Sequence, residues 1–140
     1  MKIERDRGEV LLRGVQANRL LWDENKQLVL PALVNFKLRK GEVGLSVERK
    51  THVASYESIS QRGRFECFIS VEVGQIRDLG LSIRNKEYAL SAAEIIGLPS
   101  FDDLETADDW AIALANVFEW EVAPGEVCIQ KVKWKYESQK

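Results

Sequence analysis

The chain has 140 residues, the usual size of one domain, and 45% of them are apolar. This composition predicts one folded unit over residues 1–140 with its own core, and it excludes a disordered chain. The 20 lysine and arginine residues nearly balance the 22 aspartate and glutamate residues, which leaves a net charge of -2. That balance excludes a global basic field able to hold nucleic acid or a membrane surface, so any basic site must be local.

The N-terminal residues are mixed in charge and lead into no apolar segment, so we expect no secretory signal and a cytoplasmic location. No stretch approaches the ~18 to 20 apolar residues that a membrane-spanning helix needs, and we expect no membrane partner. The two cysteines, Cys67 and Cys128, are far apart in the sequence and have apolar neighbours. They are predicted to be reduced, inert core residues and not a disulfide or a catalytic thiol.

The first third of the chain is predicted to form short strands and a turn. Residues 9–13 form an apolar run that predicts a first strand ending at Gly14. Residues 15–22 suit a short helical turn better than a strand. Apolar and polar side chains alternate over residues 34–38, and this alternation predicts a half-buried strand.

The middle of the chain carries the strongest strand signal. Residues 43–48 predict a strand, and residues 53–61 predict a short helix. Residues 65–73 then alternate over five consecutive inward positions, which predicts a central strand; these positions are Phe65, Cys67, Ile69, Val71 and Val73. Residues 88–96 are ambiguous because alanine and serine dominate them.

The last third predicts one main helix and a last strand. Thr106, followed three residues later by Asp109, resembles a capping box, so a helix is predicted over residues 106–118 with an apolar stripe through Leu114. After it, apolar side chains alternate with lysines and predict an amphipathic strand. The expected fold is α+β, a largely antiparallel sheet of five or six strands with this helix across one face and shorter helices at its edges.

Four short motifs follow one another along the chain: Leu11-Leu12-Arg13, Gly44-Leu45-Ser46-Val47-Glu48-Arg49, Leu79-Gly80-Leu81 and Gly97-Leu98-Pro99. Their order resembles that of a widespread family of uncharacterised bacterial hypothetical proteins. The resemblance brings no established activity. The resemblance implies histidines near the positions of Gln16 and Ala92, and neither residue is a histidine here. If those histidines serve chemistry in the family, this protein lacks that chemistry. If those histidines are structural, Gln16 can replace one by hydrogen bonding and Ala92 the other by packing.

Motifs for cofactors and metals are missing from the sequence. His52, the one histidine, lies in a polar connection and is predicted to be a solvated loop residue, since neither a second histidine nor a cysteine pair accompanies it. The chain contains no glycine-rich phosphate loop and no nucleophile elbow. We therefore expect no cofactor and no metal site.

Acidic residues suggest two further candidate sites. Eight acids and no base lie between residues 101 and 126. They cap and solvate the predicted helix, or they form an acidic docking face through Asp102, Asp103 and Glu105. Glu94 lies in an apolar run and is the candidate pocket carboxylate, although the alternation also fits a strand position that faces outward.

Lys131, Lys133 and Lys135 are predicted to line one face of the last strand. Lysines on an exposed strand discourage aggregation through the strand edge. The alternative is a stripe that binds phosphates or an acidic partner. The arginines show no common register in the sequence.

Three functions follow, in order of preference. The first is a small interaction or accessory module with a protein partner, because catalytic motifs are missing while acidic and basic residues are segregated; by analogy it could belong to a toxin-antitoxin or defence pair. The second is nucleic-acid binding through the lysine strand and residues 37–40, which the net charge disfavours. The third is a carboxylate-based enzyme with a pocket around Glu94.

Overall fold

The fold is built around an antiparallel sheet whose strands come from both halves of the chain. The computed structural model describes residues 6–139, without the side chains of residues 61 and 62. In chain order the elements are β1 (Val10–Val15), β2 (Leu20–Asp23), β3 (Leu28–Pro31), β4 (Gly44–Arg49), α1 (Tyr56–Gly63), β5 (Cys67–Glu72), α2 (Val73–Asp78), β6 (Ser82–Asn85), β7 (Ala92–Ile96), α3 (Leu104–Val117), β8 (Glu119–Val122) and α4 (Glu126–Ser138). Short 3-10 helices cover Ala17–Arg19, Leu33–Phe36 and Lys50–His52.

Six strands pair in the order β6-β7-β4-β1-β5-β8, and β2 and β3 form a separate hairpin. All described pairs are antiparallel. The predicted α+β class with a largely antiparallel sheet is therefore confirmed. β5 pairs with β1 on one side and β8 on the other, so it is an interior strand as predicted, although β4 and β1 occupy the middle of the sheet.

One face of the sheet carries the main core, and the inward positions predicted for Cys67, Ile69 and Val71 of β5 are confirmed. The alternation predicts Phe65 on the same face, but it precedes the strand, and its ring packs against Phe68 on the opposite side. Ile69 and Val71 are buried in this core, whereas Glu66 and Glu72 are exposed. Leu45 and Val47 of β4 share the same core, as the strand predicted at residues 43–48 requires. The rest of this core comes from buried residues outside the sheet, among them Phe36, Leu38, Ile76, Ala111 and Leu114.

The opposite face of the sheet is partly covered by α1, which confirms the short helix predicted before Gly63. Phe68 of β5 points to this side and is nevertheless buried, because the Tyr56 and Phe65 rings lie 5.3 and 6.0 Å from its ring. Gly14 lies inside β1 and does not end it. A Cβ atom at Gly14 would meet the Phe65 ring at 2.2 Å, so this position needs glycine to admit the ring.

Residues 34–38 do not form the predicted strand. Leu33–Phe36 is a 3-10 helix, and Asn35, which alternation places outside, is buried. Its side-chain amide donates to the carbonyl oxygens of Arg19 and Ala32, both at 2.8 Å. These two hydrogen bonds satisfy the buried polar group and fold the segment back on the 3-10 helix that ends at Arg19.

The main helix, α3, begins at Leu104 and so starts two residues earlier than predicted. Its N-cap is Asp103, and no side-chain capping bond is formed, so the capping box at Thr106 is wrong. The preceding turn, in which the Asp103 backbone donates to the Ser100 carbonyl at 3.1 Å, sets the start of the helix instead.

The C-terminal segment is a helix, α4, and not the predicted strand. Its half-buried residues are Cys128, Ile129, Val132, Lys133 and Tyr136. These positions follow i, i+1, i+4, i+5 and i+8, which is the period of a helix. Gly125 is its N-cap, and α4 packs on the β2-β3 hairpin. Within residues 6–139, no helix has the length and apolar character needed to cross a membrane.

Candidate functional site

The three lysines of the predicted stripe lie on two flanks of α4. Lys131 and Lys135 are one turn apart on one flank. Lys133 lies on the other, where its Nζ is 5.3 Å from the centre of the Trp22 ring. This cation–π contact binds Lys133 to the β2-β3 hairpin. On the same flank, the Tyr136 hydroxyl donates a hydrogen bond to the Glu24 carboxylate at 2.7 Å. Lys131 and Lys135 are therefore the pair of this set that faces open solvent together.

Beside Lys131 and Lys135 runs a groove of about 510 Å³ between α4 and the 3-10 helix Ala17–Arg19, which we call the α4 groove. Its lining is mostly apolar and includes Val127, Cys128 and Val132. Glu66 and Glu126 line it as well. Because Glu126 opens α4 and Lys135 lies roughly 13 Å further along the helix, the charge of the groove changes sign along its length.

The two cysteines are free thiols, and they lie near enough to each other to interact electrostatically, although only Cys128 lines the groove. Burial raises the pKa of Cys67 to about 12, and the neighbouring Cys128 and Glu66 raise it too. Burial also raises the pKa of Cys128, with Glu66 acting in the same direction and Lys131 against it. Both side chains are therefore thiols at neutral pH, and a thiol is a poor nucleophile.

Asp102, Asp103 and Glu105 are exposed at the start of α3, and none of them lines the α4 groove. Asp108, one turn into the helix, pairs with Lys37. The structure therefore does not bring the acidic candidates and the lysine candidates into one described cavity.

Glu94 lies on β7 on the face away from the main core, as the alternation predicts, but it is buried. Its carboxylate accepts hydrogen bonds from Arg84 on the neighbouring strand β6. Gly44 on β4 leaves room for it, because a Cβ atom there would lie 2.8 Å from the carboxyl group. Glu94 thus forms an interstrand ion pair, and it lines neither the α4 groove nor the arginine cleft described next.

Sequence reasoning missed a cluster of three arginines at the diverging ends of β1 and β4. Arg13, Arg19 and Arg39 line one cleft of about 200 Å³, although they are up to 26 residues apart. The available signal was Arg13 itself, a charged residue in the apolar run Leu11-Leu12-Arg13. We call this cavity the arginine cleft.

Gln16 and Ala92 both contribute to the fold. The Gln16 side-chain amide donates to the Gly63 carbonyl at 2.9 Å and joins the end of β1 to the end of α1. Ala92 is buried on β7, and β4 separates that strand from β1. His52 is exposed. Within the described part of the chain, no three His, Cys, Asp or Glu side chains form a group that could hold a metal ion.

Comparisons with known proteins give no relative: no family model matches the chain, and no curated protein or solved structure is significantly similar to it.

Proposed function

We propose that the protein is a small interaction module that docks a segment of another protein in the α4 groove. The observation that carries this proposal is that α4 buries none of its residues fully and leaves apolar side chains uncovered along the groove. Val127 is 69% exposed there. An apolar surface framed by charged residues is the usual composition of a protein-binding site.

The charges of the groove favour a peptide segment over nucleic acid. Lys131 and Lys135 supply two positive charges, but Glu66 and Glu126 place two negative charges in the same cavity. A polyanion would meet repulsion at the acidic end. A segment with acidic residues facing the lysines, a basic residue facing the glutamates and apolar side chains between them is complementary along the whole groove.

The thiol of Cys128 supports binding over catalysis. Its side chain lines the groove, and burial raises its pKa. A catalytic cysteine needs the opposite shift, which a neighbouring cation or a helix N-terminus usually provides.

Charge reversal on one flank of α4 tests the proposal. The tagged protein is purified from its native host, the bound protein is identified and purified, and its affinity is measured for the wild type and the K131E/K135E variant. We expect the double reversal to weaken binding by at least about tenfold, because it replaces attraction by repulsion at the basic end of the groove.

K133Q is the matched control, since it removes a lysine of the same helix on the flank that faces Trp22. It should keep the wild-type affinity within about twofold. A partner that binds K131E/K135E as tightly as the wild type contradicts the proposal. So does a captured nucleic acid whose binding depends on the same two lysines.

A further inference from the structure

The arginine cleft forms where two central strands separate. β1 and β4 pair only through Leu11 with Arg49 and Leu12 with Glu48. Beyond that point the Arg13 side chain bridges the strands, and its Nη1 donates to the Ser46 carbonyl at 2.6 Å. Its Nε donates to the Asn35 carbonyl at 2.7 Å. Two of the three guanidinium nitrogens are thus fixed by main-chain oxygens.

The third nitrogen of Arg13, Nη2, makes no hydrogen bond to any residue that the structure describes, and Arg13 lines the cleft. Main-chain carbonyls satisfy donors without neutralising the charge. Arg13 also forms no ion pair within residues 6–139. Arg13 therefore brings to the lining of this cavity a guanidinium that two main-chain carbonyls hold in place, with Nη2 unbound by any described residue.

Arg19 and Arg39 add two more cations to the same cleft. The main chain at Arg19 is fixed, because its carbonyl accepts from the Asn35 side chain at 2.8 Å and from the Ala32 backbone at 2.9 Å. The backbone of Arg39 donates to the Glu42 carboxylate at 2.6 Å. The main chain that carries both arginines is thus held in place by hydrogen bonds within the protein.

The electrostatics of the cleft favour an anion. Burial lowers the pKa of Arg13 to about 10, with Glu42 opposing the shift and Arg39 and Arg19 adding to it. Burial likewise lowers the pKa of Arg19. Arg13 thus remains charged at neutral pH, and the neighbouring guanidinium groups repel it. Glu42 and Glu48 also line the cleft, so three guanidinium groups face two carboxylates and an unbalanced positive charge remains.

We propose that the arginine cleft binds the phosphoryl group of a small phosphate ester, with the Nη2 edge of Arg13 as the fixed donor and Arg19 and Arg39 as the flanking cations. Guanidinium groups bind phosphate oxygens through short charge-assisted hydrogen bonds, and a phosphoryl group offers oxygens to three donors at once. Leu12, Ile59 and Phe65 line the same cavity and form an apolar wall for the organic part. The volume of about 200 Å³ suits a compact ligand and not a polymer.

The test uses inorganic phosphate and phenyl phosphate as probes at constant ionic strength, with affinities measured by calorimetry on the full chain. Both should bind saturably, and phenyl phosphate should bind at least about fivefold more tightly because its ring lies against the apolar wall. The R19Q/R39Q variant should bind phenyl phosphate at least about tenfold more weakly, since it loses two charge-assisted contacts. It spares Arg13, whose replacement removes bonds that hold the strands.

K40Q is the matched control, because Lys40 is the exposed neighbour of Arg39 and does not line the cleft. It should bind within about twofold of the wild type. K131E/K135E should also keep phosphate binding, which separates this inference from the proposed docking in the α4 groove. The inference is overturned if neither probe binds saturably, or if R19Q/R39Q binds phenyl phosphate like the wild type. Equal affinities of the two probes would show that the assignment of an ester is wrong.

Discussion

The position of Cys67 in β5 determines the reactivity of its thiol. Cys67 occupies an inward position of β5 and is fully buried. Removing a thiolate from water costs free energy, so burial raises its pKa to about 12. Since the thiolate is the reactive form, the higher pKa lowers its population, and hence the reaction rate, at every pH below 12.

We therefore predict that Cys67 does not react with a thiol reagent at pH 8 while the protein is folded. Cys128 is half-buried, its pKa is also raised, and it should react slowly. Counting modified thiols with and without denaturant checks this. The C128S variant should show no reaction until denaturant is added. Rapid, stoichiometric labelling of native C128S would contradict the burial of Cys67.

Buried polar residues are the hardest to predict from one sequence, because their partners come from other segments. Glu94 is stabilised by Arg84 on the neighbouring strand, and Asn35 by carbonyl groups of Arg19 and Ala32. The alternation of apolar and polar residues predicts that both side chains face solvent, because it depends on polarity alone and does not include hydrogen-bond partners from other segments. Arg13 belongs to the same class, and its two acceptors lie 22 and 33 residues away.

Among the helices and strands, α3 shows the best agreement between the apolar pattern of the sequence and the residues that are buried. Ala107, Ala111 and Leu114 are buried at helical spacing, and the two alanines allow the helix to approach the core closely. Leu114 has no exposed surface, whereas Ile112 on the outer side is 49% exposed. The two side chains have equal size, so replacing each by alanine removes the same number of atoms, and a difference in stability between the variants reports burial.

We predict that L114A lowers the free energy of unfolding by about 2–5 kcal/mol, because it leaves a cavity in the main core. I112A should change it by no more than about 0.5 kcal/mol, as substitutions on exposed surfaces usually do. Urea denaturation of both variants measures the difference. Equal losses in the two variants would contradict the packing of α3 on this core.

Elements with one consistent signal were predictable from the sequence, and those with two compatible periods were not. The strand β4 and the helix α1 show one pattern each and lie where predicted. In α4, valine, tryptophan and tyrosine alternate with lysines over residues 132–136, which satisfies the period of a strand. Ile129, Val132 and Tyr136 also satisfy the period of a helix, and packing on the hairpin selects the helix.

At the scale of the whole molecule, the two proposed binding sites meet at one short 3-10 helix. Ala17 and Asn18 line the α4 groove, and Arg19 lines the arginine cleft. The sequence predicted the class of the sheet because alternation is local. It could not predict this meeting point, which depends on where β1 separates from β4 and where α4 packs.

A cross-link at one chosen residue shows whether the α4 groove holds a segment of a protein partner. A photoreactive amino acid is introduced at Val127 in the groove or, as the control, at Val43, and each variant is irradiated in the native host. Both valines are 69% exposed, so they report equal access to solvent. If a partner segment lies in the groove, we expect one discrete cross-linked protein at position 127 and none at position 43. Cross-links of equal yield at both positions, or a product at position 127 of twice the mass of this chain, would contradict it.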